Sequence, residues 1–148
     1  MQMVMAIDSA HLIPGKCVSM DQLESSTPGR IPIMKGKPST SNYGAATLFV
    51  DHASRFLHLS LHCSTGAQEA IKAKHKFERT VTKDGITIKE YHADNGVSQS
   101  KLFQASCDIQ DQKITFCGVN AHHQNGIAER QIRTLTERAC TMLIHSMH

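Results

Sequence analysis

Apolar and polar residues alternate over residues 17–23, with Val18, Met20 and Gln22 in phase on one side and Asp21 opposite, the signature of a first strand. Two further β-rich runs, residues 45–50 and 56–62, flank Asp51-His52-Ala53-Ser54-Arg55 and predict a hairpin. A helix follows: Ala67, Ala70, Ile71, Phe77 and Val81 supply an apolar face, leaving Lys72, Lys74 and Lys76 for solvent. Thr65-Gly66-Ala67-Gln68 fits a capping box at its start, and Lys83-Asp84-Gly85 stops it. Ile86, Thr87, Ile88 and Tyr91 then mark a short strand that runs into the chain-reversal signal Asn95-Gly96. Residues 100–109 read as a short helix and 113–117 as a strand. Beyond Asn125-Gly126, Ala128, Ile132, Leu135, Ala139, Met142 and Leu143 recur every three or four residues, as in a long helix.

Between these elements lie segments without either period. Residues 1–16, ending in Pro14-Gly15-Lys16, read as a lead-in tail. Residues 25–41, rich in Ser, Thr, Gly and Pro, read as a long connection, and 118–124 as a polar loop. Strands in a hairpin first, then strands alternating with helices, predict one α/β domain over residues 17–148, with a mixed five-stranded sheet flanked by helices.

The chain has 148 residues, room for one domain with a real core and not two. Its 16 Lys+Arg against 13 Asp+Glu permit a nucleic-acid partner without arguing strongly for one. Ten histidines could add positive charge below neutral pH, although exposed or hydrogen-bonded roles are commoner. Five cysteines with no C-x-x-C pair argue against a disulfide scaffold or zinc knuckle and fit a reducing compartment. No basic n-region precedes the short apolar opening, and no run is long enough to span a bilayer, so a soluble intracellular protein is expected.

The candidate chemistry lies in acids. Asp94 ends a strand, where an open α/β sheet usually carries its site. Glu129 opens a helix, where the dipole favours an ionised carboxylate, and it follows Asp94 by 35 residues. Asp21 sits on a strand otherwise fit for a core, where an isolated buried carboxylate is costly unless paired or metal-bound. Periodicity alone leaves an outward-facing Asp21 equally open. Asp51 is a rival, but a turn residue accepting backbone N–H bonds is the simpler reading for it.

Asp94-Asn95-Gly96 after a strand, then Asn125-Gly126-Ile127-Ala128-Glu129-Arg130, resembles the integrase catalytic core of retroviruses and LTR retrotransposons, most of all the copia-type elements. Val-Asp-x-x-Ser-Arg at 50–55 is similar to the same family. One departure is Val97-Ser98, where the copia-type pattern usually has an acidic or aromatic pair.

The resemblance implies a ribonuclease H-like fold over about residues 17–148. It also implies a catalytic and metal-binding trio of Asp21, Asp94 and Glu129 on two Mg²⁺ or Mn²⁺ ions, with Asp21 bridging. It points further to DNA 3′-end processing and joining to target DNA, to DNA and other copies of the chain as partners, and to nuclear action. Two ions suit this chemistry because they neutralise charge on both the attacking and the leaving oxygen. Asn120, His122, Gln124 and Asn125 would lie in the active-site loop near DNA, Asn125 alternatively capping the helix. Arg133, one turn past Glu129, either contacts phosphate or pairs with Glu129. The family's zinc domain and C-terminal DNA-binding region have no counterpart in these residues. Two other readings stand beside this one: a metal-dependent nuclease of the same fold, and a non-catalytic DNA-binding or oligomerising remnant.

Overall fold

The computed structural model describes residues 13–29, 43–94, 96, 100–116 and 126–146. In chain order it contains β1 (Val18–Gly29), β2 (Tyr43–Asp51), β3 (Leu57–His62), α1 (Ala67–Thr82), β4 (Glu90–Ala93), α2 (Lys101–Ile109), β5 (Lys113–Phe116) and α3 (Gly126–Ser146). The five strands form one sheet in the order β3-β2-β1-β4-β5. β1 is antiparallel to β2, and β2 to β3, whereas β4 runs parallel to β1 and β5 parallel to β4. This is the mixed sheet expected from the element order.

Strand alternation separates two faces. Val18, Met20, Phe49, Tyr91 and Ala93 share one face and pack under Ala70, Ala73, Phe77 and Val81 of α1 and Phe103 and Cys107 of α2. Phe49 and Phe77 stack with ring centroids 4.8 Å apart, and Tyr91 meets both Phe49 and Phe103 edge-on. The opposite face carries Ala46, Leu48 and Val50, all buried, and α3 lies against β1 and β2.

Four expectations change. The strand expected to begin at Ile86 begins at Glu90: residues 86–89 are held outside the ladder, with Lys89 N–H donating to the Gly15 carbonyl at 2.8 Å. Ile88 is still buried, which is why the apolar pattern there looked strand-like. β1 runs on to Gly29, pairing it with Tyr43 across a register shift, so residues 25–29 are strand and not connection. No capping box forms at α1, whose N-cap is Gly66 with no side-chain bond.

The fourth change is Lys74, expected in solvent and fully buried instead. Its ammonium lies 3.0 Å from Glu78 Oε1 and 5.7 Å from the centre of the Tyr91 ring. Those two partners compensate the buried charge even though no well-directed hydrogen bond is made. Glu78 also accepts from Tyr91 Oη at 2.8 Å and Gln112 Nε2 at 2.7 Å, tying α1 to β4 and to the turn before β5.

Residues 13–16 make a turn bound into the domain. Gly15 has φ +84°, and a Cβ there would stand 2.5 Å from the Thr87 carbonyl oxygen, so only glycine fits. Residues 1–12 of the expected tail lie outside the described residues.

Candidate active site

The register of β1 and β4 decides where the first two acids stand. Met20 is the parallel partner of Ala93, so Asp21 and Asp94 each come one residue later, side by side where the β1–β4 ladder stops. Asp21 is half-buried and its Oδ1 accepts the Gln22 N–H at 2.8 Å. Asp94 is half-buried as well, and its Oδ1 accepts the Gly96 N–H at 3.2 Å, a turn of the kind Asp-Asn-Gly favours. Glu129 is exposed in the first turn of α3, next to Ala128, which is fully buried and anchors that turn on the sheet.

The electrostatics tie the three acids together. Burial raises the Asp21 carboxyl from its ordinary 3.8 to about 6, and the negative charges of Asp94 and Glu129 push in the same direction against the Gln22 N–H bond. Asp21 is therefore within electrostatic reach of both other acids. The side chains are not drawn into a ready ligand set: among the described residues no three His, Cys, Asp or Glu groups surround a single ion position. In kind, three carboxylates are the hard oxygen donors that Mg²⁺ or Mn²⁺ prefers, and mutual repulsion of this sort is what a bound cation relieves.

Asp51 has a structural role. Its Oδ1 accepts the Gly15 N–H at 2.9 Å, and its Oδ2 accepts the Ser54 N–H at 2.8 Å and the Ser54 hydroxyl at 2.6 Å. It closes the β2–β3 turn and holds residues 13–16, beside Val18 at the start of β1, three residues before Asp21. A mostly apolar cavity of about 200 Å³ lies at that end as well, lined by Gly15, Asp51, Phe56, Phe77, Ile86 and Ile88 among others.

Arg133 is exposed, and among the described residues no ion pair joins it to Glu129, so the surface-pair reading is not realised. Asn120, His122, Gln124 and Asn125 lie outside the described residues.

Sequence reasoning missed a polar layer on the face that carries Asp21. Ser19 Oγ and His52 Nε2 are 2.6 Å apart and buried. Thr115 Oγ1 donates to Glu90 Oε1 at 3.1 Å and lies 3.0 Å from His92 Nδ1. Burial holds His52 below its ordinary range, helped by the neighbouring His92 and Arg55. The odd-numbered alternation of Cys17, Ser19 and Asp21 was the signal available for this layer.

No family model matches the chain, and no curated protein matches it. The solved structures do offer matches, among them several distant in sequence. A chain of the simian T-cell lymphotropic virus intasome in complex with PP2A regulatory subunit B56 gamma aligns with TM-score 0.67 at 18% identity, covering 85% of this chain. The match spans 40% of that longer chain. The HTLV-2 integrase catalytic core domain in complex with magnesium, in its dimeric form, aligns with TM-score 0.62 at 19% identity over 90% of this chain and 76% of its own. The catalytic core domain of BIV integrase follows at 0.60 and 16%, over 86% and 70%. The fold is that of retroviral integrase catalytic cores, an α/β, ribonuclease H-like sheet.

Proposed function

We propose that this chain is the catalytic core of a DNA integrase of LTR-retrotransposon type, most like the copia-type elements. It is a polynucleotidyl transferase that trims DNA 3′ ends and joins them to target DNA. The observation that carries the proposal is the register of β1 and β4. It delivers Asp21 and Asp94 side by side, with Glu129 within electrostatic reach and the Asp21 carboxyl raised to about 6.

Asp21, Asp94 and Glu129 would hold two Mg²⁺ or Mn²⁺ ions, Asp21 contributing to both. Those ions supply charge neutralisation at the attacking and leaving oxygens of an in-line phosphoryl transfer. The protein supplies position. The parallel ladder fixes the spacing of the two aspartates, the Gln22 and Gly96 N–H groups each fix one carboxylate oxygen, and Ala128 seats the helix that presents Glu129. The magnesium-bound HTLV-2 core of the same fold supports the choice of ion. Arg133, exposed one turn beyond Glu129 and not ion-paired to it among the described residues, serves as a phosphate contact.

The decisive experiment is a strand-transfer assay with Mg²⁺ or Mn²⁺ on the wild type and on Asp94→Asn. Joined products that vanish in the variant, with circular dichroism unchanged, support the reading. Nicks without joining indicate a nuclease, and full activity in the variant removes the metal-site argument. The second reading is a DNA-binding core of the same fold without catalysis. Salt-sensitive DNA binding with neither nicking nor joining would favour it.

A further inference from the structure

The cavity near the start of β1 is built from the turn at Gly15, the β2–β3 turn, and the end of α1 with the residues that follow it. None of Asp21, Asp94 and Glu129 lines it. Phe77, Val81 and Ile88 are buried and form its inner wall, with Gly15 and Ile86 beside them. Ser54, Phe56 and Asp84 are exposed and form its rim. Close packing leaves few voids larger than a water molecule in a protein interior, so a space of this size is a feature to explain. At about 200 Å³ it can take one aromatic ring and a short chain, since an apolar cavity of about 150 Å³ already takes up benzene.

The polar part of the lining is acidic. Asp51 and Asp84 both contribute to it, and no lysine, arginine or histidine does. The buried Asp51 carboxylate is engaged by Gly15 and Ser54, but its Oδ1 accepts only the Gly15 N–H and keeps an acceptor site. Among the described residues the Asp84 carboxylate has no hydrogen-bond or ion-pair partner. The rim is also held in an uncommon backbone. Arg55 has φ +62°, a left-handed conformation rare for a residue with a side chain, and its N–H donates to the Asp51 carbonyl at 2.9 Å. That turn sets Phe56, 44% exposed, at the mouth of the cavity.

We infer that this cavity binds a small hydrophobic cation, a single ring or branched alkyl group that carries an ammonium on a short chain. The apolar part leaves water for the wall made by Phe77, Val81 and Ile88. The ammonium stays at the rim, where Asp84 attracts it and the Phe56 ring offers an aromatic face. An anion of the same shape meets two carboxylates, and a neutral one lacks the attraction. A ligand of about ten non-hydrogen atoms limits the dissociation constant to about 0.1–1 mM. The inference does not rest on the proposed chemistry: Phe77 and Val81 belong to the helix packed on the Val18 and Met20 face of the sheet, opposite Asp21.

Amide NMR spectra of the full chain, titrated with phenethylamine, test it. Saturable shifts are expected at Gly15, Val81, Ile86 and Ile88, with phenylpropionate binding at least about fivefold more weakly. Asp84→Asn should weaken phenethylamine about threefold, the range of an exposed charge pair, and leave toluene unchanged. Val81→Phe fills the space and should abolish binding of all three probes. Circular dichroism establishes whether that variant is folded, and if it is not, the Asp84→Asn comparison decides alone. The absence of saturable shifts up to about 10 mM phenethylamine overturns the inference. So does phenethylamine binding that Asp84→Asn leaves unchanged, or equal affinity for phenylpropionate. Strand transfer enters none of these readouts, so the failure of either proposal leaves the other standing.

Discussion

Replacing Asp21 with asparagine should make the protein more stable at neutral pH while removing the proposed activity. The amide side chain would keep an oxygen for the Gln22 N–H but carry no charge beside Asp94 and Glu129. The Asp21 carboxyl titrates at about 6 in the fold against an ordinary 3.8, so the folded protein holds this proton more tightly than the unfolded chain does. Stability from this group is thus fully present below the ordinary value and lost as pH rises through 6. That interval corresponds to at most about 3 kcal/mol, and partial solvent access to Asp21 brings the expected gain to about 1–2 kcal/mol. For a domain of this size it raises Tm by about 3–8 °C. Urea denaturation of wild type and Asp21→Asn between pH 4 and 8 measures it. The difference should be small near pH 4 and grow to its full value by about pH 7, a comparison in which the histidines cancel. Adding Mg²⁺ at neutral pH should stabilise the wild type more than the variant. A variant that is less stable at neutral pH, or an offset that does not change with pH, would refute the electrostatic account of the site.

Glu129→Gln should abolish joining while leaving Tm within about 2 °C, since Glu129 is exposed; a strand-transfer assay beside a thermal melt checks both. Glu78→Ala removes the counter-charge of buried Lys74 and the acceptor for Tyr91 and Gln112, and should cost about 3–5 kcal/mol in urea denaturation. Asp51→Ala loses three hydrogen bonds at the β2–β3 turn and should cost about 2–4 kcal/mol, yet the folded fraction should retain metal-dependent activity. His52 is held below its ordinary range by burial, so its stabilising contribution is present above about 6.5 and is lost as pH falls below that value. His52→Gln should therefore flatten the acid limb of the pH–stability curve.

β2, β3, α2, β5 and α3 fall close to where the sequence pattern put them, although β2 is buried on both faces and Met142 and Leu143, expected on the apolar face of α3, are exposed. Residues 25–29 were not legible because Ser25 and Ser26 are exposed on a strand extension that is paired on one side, where hydrophobicity has nothing to report. Ile86 and Ile88 misled in the opposite direction, being packed against the core from a segment outside the ladder. Lys74 could not be placed from composition, since its burial depends on Glu78 and the Tyr91 ring meeting it from two elements. The positions of Asp21, Asp94 and Glu129 were readable only through the motif; the backbone register then supplied what spacing along the chain cannot, the adjacency of two acids 73 residues apart.

The central place of β1 has a consequence for how the molecule is made. Its antiparallel neighbour arrives within the same meander, whereas its parallel neighbour must wait for α1 to be synthesised and docked. Contacts close in sequence form sooner than distant ones, so the meander carrying Asp21 is expected to assemble before the strand that brings Asp94. The repulsion between the two carboxylates then enters only in the closing stage, where it slows no early nucleus and can be quenched by a divalent cation already present in the medium.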